Sequence, residues 1–204
     1  MLVAVLAILI SLAVLYRTQF ASRSGASTQW SAGLGVVAAE ETAKLLRGRG
    51  RVVLILADTG TYQDPLVAGQ RDAFTKTLAQ SPGMSLVASE KMETTAPGTM
   101  GVGGLNAGQF RTIVQRHATA DGFVSMVGFP NLPPEALEEM KGRKFIIVGD
   151  GGPELKALLE GGVVQVALIP RPKPATATQP PATPREWFNR AYEVVTPASA
   201  SNLP

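Results

Sequence analysis

RVVLILAD, Arg51 to Asp58, is an almost unbroken run of β-branched residues and leucine. A strand with one wet face alternates apolar and polar residues. A run without that alternation is a strand buried on both faces, as in a parallel sheet covered by helices. Such a strand needs neighbours, and crossover helices to reach them. The chain supplies both in order. MSLVASEK, GFVSMVGF (Gly122 to Phe129), KFIIVGD and VVQVALIP read as four further strands. LGVVAAEETAKLL, Leu34 to Leu46, has helical periodicity and stops at Gly48 and Gly50. A second helix opens at Asp64-Pro65, where Asp64 can cap and proline suits the first turn, and ends before Pro82-Gly83. GQFRTIVQRH, Pro133 to Lys141 and GPELKALLEGG read as three more helices.

This alternation demands a parallel sheet with helices on both faces and right-handed crossovers. The expected fold is α/β: one Rossmann-like three-layer lobe over residues 33–172. Its sheet has five mostly parallel strands in the order 2-1-3-4-5. Ligands of such sheets bind at the carboxyl ends of the strands, near the topological switch point. The residues expected there are Asp58, Thr59, Gly60, Phe129, Asp150 and Gly151. A strand-end aspartate can equally cap the next helix, so Asp58 and Asp150 carry two readings.

Composition narrows the chemistry. There is no cysteine, which excludes disulfides, thiolate catalysis and cysteine metal sites; one histidine, His117, excludes multi-histidine motifs. His117 reads as a surface residue at a helix end. The glycine-rich stretch Pro97 to Gly108 lacks the GK[ST] of a phosphate-binding loop. No nucleophile elbow, paired carboxylate or metal cluster is present. The chain reads as a non-enzyme without a cofactor. Arg47, Arg49 and Arg51 in RGRGR form the one basic run, which reads as a solvated turn and not as a nucleic-acid patch.

The ends differ from the middle. Met1 to Phe20 is apolar and charge-free up to Arg17, about the 17–20 residues a helix needs to cross a bilayer. It reads as a single-pass transmembrane anchor. The alternative is a signal peptide, with a weak small-residue pattern at Ser24-Gly25-Ala26 but no basic residue before the apolar run. Residues 21–32 read as a linker. Arg17 and Arg23 after the helix favour a cytoplasmic domain by the positive-inside tendency. At the other end, Pro170 to Pro184 is proline-rich and reads as extended chain, so 173–204 is a tail. Within it, about 185–195 reads as a short amphipathic helix with Trp187, Phe188 and Tyr192 on one side. That helix either folds back on its own domain or docks on a partner protein.

Several local strings resemble a known family. AAEETAKLLRGRGRVVLILAD, QRDAFTKTLAQSPGMSLVASE, ADGFVSMVGFPNLPPEALEEM and VGDGGPELKALLEGGVVQVALIPRP are similar, in that order, to the C-terminal lobe of type 1 periplasmic binding proteins. These are the sugar receptors related to the ligand domains of lactose-type repressors. The resemblance implies an exported, bacterial, substrate-binding lobe on the periplasmic side of the inner membrane. It implies a second lobe facing this one, which the residues before Gly33 do not provide. It also implies four polar contacts to sugar. The family's arginine, four residues before the aromatic Phe74, falls on Gln70, with Arg71 one step and about 100° away. Its asparagine falls on Phe129, its aspartate on Asp150 and its glutamine on Leu168. The expected reading is therefore a non-catalytic, membrane-anchored accessory subunit on a degenerate sugar-binding lobe, contacting other proteins of a membrane complex. The alternative is a sugar-binding component with the second lobe supplied by another chain.

Overall fold

A computed structural model describes residues 22–93, 105–173 and 181–203. The apolar segment 1–20, most of the glycine-rich stretch and the centre of the proline-rich tail lie outside the described residues. The elements in chain order are α1 (Ser22–Leu45), β1 (Arg49–Ala57), α2 (Pro65–Leu78), β2 (Gly83–Met92), α3 (Ala107–Arg116) and β3 (Gly122–Ser125). They continue with α4 (Pro134–Met140), β4 (Lys144–Val148), α5 (Pro153–Glu160), β5 (Val166–Pro170), α6 (Pro184–Ala191) and β6 (Tyr192–Val195). A 3-10 helix, Pro197–Asn202, closes the chain.

The five strands read from the sequence form a parallel array in the expected order. The sheet nevertheless has six strands, in the order β2-β1-β3-β4-β5-β6, because β6 adds to β5 antiparallel. The sheet is therefore mixed. Within the expected linker 21–32 the described residues are helical instead: α1 begins at Ser22 and runs without a break into the helix expected from Leu34. Among the described residues no helix is long and apolar enough to cross a membrane.

The sheet separates two cores. One face packs Val53, Ile55, Phe123, Phe145 and Ile147 against α3, α4, α5 and the closing 3-10 helix. The other packs Val52, Leu54, Leu56, Ile146 and Leu168 against α1, α2 and Phe188 of α6. Alternate residues of β1 thus feed opposite cores, which is why RVVLILAD carries no polar alternation. Asp64 caps α2 as expected, its Oδ1 accepting the Leu66 N–H at 2.8 Å, with Pro65 in the first turn.

The turn from α1 to β1 is a Schellman motif. Gly48 N donates to Ala43 O at 2.8 Å, and Arg47 N donates to Lys44 O at 3.2 Å. Arg47 occupies the left-handed position at φ 55° that glycine normally takes. A side chain there costs about 1 kcal/mol. Arg47→Gly is expected to raise stability by about that amount, read as a higher urea midpoint at unchanged slope.

The edge strand β2 is tied down by α3. The Glu90 carboxylate meets His117 Nε2 at 2.6 Å and Arg116 Nη1 at 3.2 Å. His117 is thus a half-buried helix cap with a partner. Its contact holds the Glu90 carboxyl below the ordinary range, opposed by burial and reinforced by Arg116. A lowered carboxylate contributes stability above its unfolded value of 4.5, and loses it as pH falls through the lower folded value. Glu90→Gln is expected to flatten the fall of Tm with pH below about 4.5. An unchanged acid limb would show that this contact contributes nothing.

Candidate functional site

The switch point of this sheet lies between β1 and β3, whose crossovers leave in opposite directions. Beside it, at the carboxyl end of β1, is a cleft of about 300 Å³. It is lined by Leu56 and Ala57 and by the loop Thr59–Asp64. The first turns of α2 contribute Val67, Ala68 and Arg71, and β2 contributes Lys91.

Each polar group is held by local geometry. Asp58 Oδ1 accepts the Gly60 N–H at 2.9 Å, and Thr59 Oγ1 donates to Tyr62 O at 2.5 Å. These two bonds fold the loop, which lines the cleft and leaves Tyr62 67% exposed. Gly60 sits at φ 60°, which the turn requires. The Arg71 guanidinium is steadied by Asp72, with Nε at 3.0 Å and Nη2 at 2.9 Å from Oδ1. Lys91 lies across from Leu56 in the parallel register, its Nζ 4.0 Å from Asp58 Oδ1. Gln109 of α3 holds that end of β2 from its outer edge: its amide donates to Lys91 O at 3.3 Å and accepts the Glu93 N–H at 3.2 Å. A free strand end here has been given a side-chain substitute for a neighbouring strand.

The cleft lining combines donors and acceptors: guanidinium, ammonium, carboxylate, hydroxyl and amide. Such a lining suits a small solute with several hydroxyl groups, each able to donate and accept. Among the described residues no cluster of histidines or carboxylates could hold a metal ion.

The residues expected from the sequence scatter. Asp58 does not line the cleft itself but organises the loop that does, and stands 4.0 Å from Lys91 Nζ. Asp150 is exposed at the end of β4 on the same rim. It does not cap α5, whose first turn follows Gly152 without a side-chain hydrogen bond. Two sheet steps separate β1 from β4, about 10 Å, and Asp150 does not line the cleft. Gln70 is a correction: it is 6% exposed and forms one buried row of α2 with Phe74 and Leu78. Arg71, one position on, is the residue that reaches the cleft. Phe129 is a second correction. Its fully buried ring makes edge contacts with Phe110 at 5.0 Å and Phe145 at 5.5 Å, so it offers no surface to a ligand. Leu168 points into the core beneath α1 and α6 and not along the strand toward the rim. A Cβ at Gly151 would meet Ile169 at 3.2 Å and Leu203 at 3.4 Å, which makes Gly151 a packing position.

The three aromatics expected to meet a partner are engaged within the lobe. Phe188 is 2% exposed in the core and stacks on Tyr192 at 5.7 Å. Burial pushes the Tyr192 phenol up. Trp187 meets Trp30 of α1 at 5.8 Å, and Arg185 pairs with Glu40. The fold-back half of the two readings of this tail is the one observed, and the helix expected over 185–195 divides into α6 and β6.

No family model and no curated protein matches the chain. Solved structures do. AraP, an arabinose-binding protein from Geobacillus stearothermophilus, is 19% identical with a TM-score of 0.58, over 85% of this chain and 63% of that one. An ABC transporter solute-binding protein from Bacillus halodurans with bound myo-inositol is 16% identical at a TM-score of 0.55, over 84% and 60%. A chain of the XylFII–LytSN complex is 12% identical at 0.56, over 83% and 60%. This chain thus spans about three fifths of the length of the structures it matches. At these identities the likeness establishes the fold.

Proposed function

We propose that this chain, whose fold is that of a single lobe of the type 1 periplasmic binding proteins, binds a small polyhydroxylated solute without transforming it. The supporting observation is the 300 Å³ cleft at the switch point, which Arg71 and Lys91 line together with the loop from Thr59 to Asp64. Structures of this fold have been solved with a sugar-like polyol bound, and that is the chemistry the cleft lining suits. The cleft is one wall; the facing wall comes from outside the described lobe, and hinge closure between the two would complete the site. Asp150 and the exposed rim beside it would meet that second wall. In this reading the lobe works on the extracytoplasmic side of a bacterial inner membrane, with Met1 to Phe20 as its anchor.

The accessory-subunit reading rests on the missing second lobe, the eroded polar contacts, the N-terminal anchor and free aromatics in the tail. Trp187, Phe188 and Tyr192 are not free, so solute binding is the better supported function. The test is a titration of the full chain in detergent with arabinose, myo-inositol and a panel of aldopentoses and aldohexoses. A solute that binds the folded state only stabilises it by about 2.7 kcal/mol at 100 times Kd. At least one member should raise Tm in a saturable way. A flat response across the panel would remove the proposal.

A further inference from the structure

The amino ends of the strands, opposite the solute cleft, carry a second recess of about 510 Å³ lined by Arg49, Gly50, Arg51, Gly83, Ser85 and Asp121 among others. The RGRGR turn runs along it. Its glycines are dictated by the backbone: Gly48 lies at φ 75° and Gly50 at φ 152°. A Cβ at Gly50 would also stand 3.1 Å from Leu46 and 3.2 Å from Asp121. Its arginines are dictated by nothing in the fold. Arg47, Arg49 and Arg51 are all exposed, and Arg47 is held where a side chain is unfavourable.

Other arginines have partners. Arg71, Arg111, Arg116, Arg171 and Arg185 each pair with a carboxylate, and Arg143 lies over the Phe123 ring at 6.0 Å. Among the described residues, none of the guanidinium groups of Arg47, Arg49 and Arg51 makes an ion pair. The one carboxylate in the recess, Asp121, is engaged by the Arg51 backbone N–H at 2.7 Å. Arg49 and Arg51 line the recess and Arg47 precedes them in the turn, three exposed guanidinium forks within five residues of a kind that binds carboxylates bidentately.

We infer that the amino-terminal end of the sheet is a docking surface for an acidic segment of a partner protein. A bilayer is the weaker candidate. α1 has 24 residues and runs about 36 Å from Ser22 to this turn, so the basic end points away from the end of α1 that an anchor would adjoin. The recess is also mixed in character, with the Asp121 carboxylate and the Ser85 hydroxyl among the arginines, which suits the donors and acceptors of a peptide more than a uniformly anionic surface.

The test uses the full chain in detergent and a fluorescently labelled glutamate-rich peptide, followed by anisotropy at near-physiological salt. The triple variant Arg47→Gly/Arg49→Ser/Arg51→Ser should bind the peptide at least tenfold more weakly, while Arg111→Ser binds as the parent does. Its Tm should be unchanged or higher, and its response to the sugar panel unaltered, which separates this surface from the solute cleft. Equal binding by the triple variant would overturn the inference. So would an equal loss in Arg111→Ser, or tighter binding to phosphatidylglycerol vesicles or duplex DNA than to the peptide.

Discussion

Phe188→Ala is expected to destabilise the lobe by about 3–5 kcal/mol, the cost of emptying a fully packed aromatic site. Phe188 lies in the core shared by α1, α2 and the sheet. Its helix sits so close to α1 that a Cβ at Gly33 would stand 2.4 Å from Pro184 O. The same element delivers β6 to the edge of β5, where Val194 lies across from Leu168. Loss of the ring therefore loosens the helix contact and the edge strand together. Against a total stability of about 5–15 kcal/mol this is a large fraction. Urea unfolding of the full chain measures it. An unchanged midpoint would mean that the tail does not pack on the lobe in solution, and would return its aromatics to the role of partner contacts.

Gly35→Ala is expected to cost about 2–3 kcal/mol, against the direction of helix propensity. Alanine in a helix normally gains about 1 kcal/mol over glycine. At Gly35, however, the added Cβ would stand 2.3 Å from Gln70 O, 3.0 Å from Phe74 N and 3.1 Å from Ala73 Cβ. The first two are backbone atoms of α2 and cannot rotate away, so α2 must move as a body. α2 carries Arg71 into the cleft, so solute affinity should fall with stability. A neutral or stabilising Gly35→Ala would show that α1 and α2 are further apart than described. Gly60→Ala is the useful contrast. Its Cβ would meet nothing within 4 Å, and only the left-handed φ is strained, so its cost should stay near 1 kcal/mol.

The sheet was legible because its signals are local. Continuous apolar runs, Asp64-Pro65 and the glycine stops each have one structural solution. α1 before Gly33 was not, because STQWSAG has weak helix propensity. It is helical through close packing on α2 and α6, made possible by Gly33 and Gly35. β6 was missed because Trp187, Phe188, Tyr192 and Val195 fit a helical spacing; what makes YEVV a strand is the open edge of β5, which no local pattern records. The cleft was half legible. Its place at the carboxyl end of β1 followed from the topology, and Asp58, Thr59 and Gly60 were read there. The position that the resemblance gives to an arginine holds Gln70, whereas Arg71, one residue on, lines the cleft. A signal was available: Gln70, Phe74 and Leu78 are four apart, so a residue four before a core aromatic is itself turned inward, and Arg71 is not. For Phe129 a strand-end position suggests a residue facing the rim, whereas the chain after β3 carries this ring into an aromatic core.

The most direct test of the account compares Arg71→Ala with Gln70→Ala in solute titrations on the full chain. A hydrogen bond from a charged group contributes about 1.5–3 kcal/mol, roughly 10- to 150-fold in Kd. Arg71→Ala should weaken binding of the best sugar by at least tenfold at unchanged Tm, whereas Gln70→Ala should lower Tm and leave Kd within a few-fold. Undiminished binding by Arg71→Ala, or a selective loss in Gln70→Ala, would contradict the assignment of the cleft.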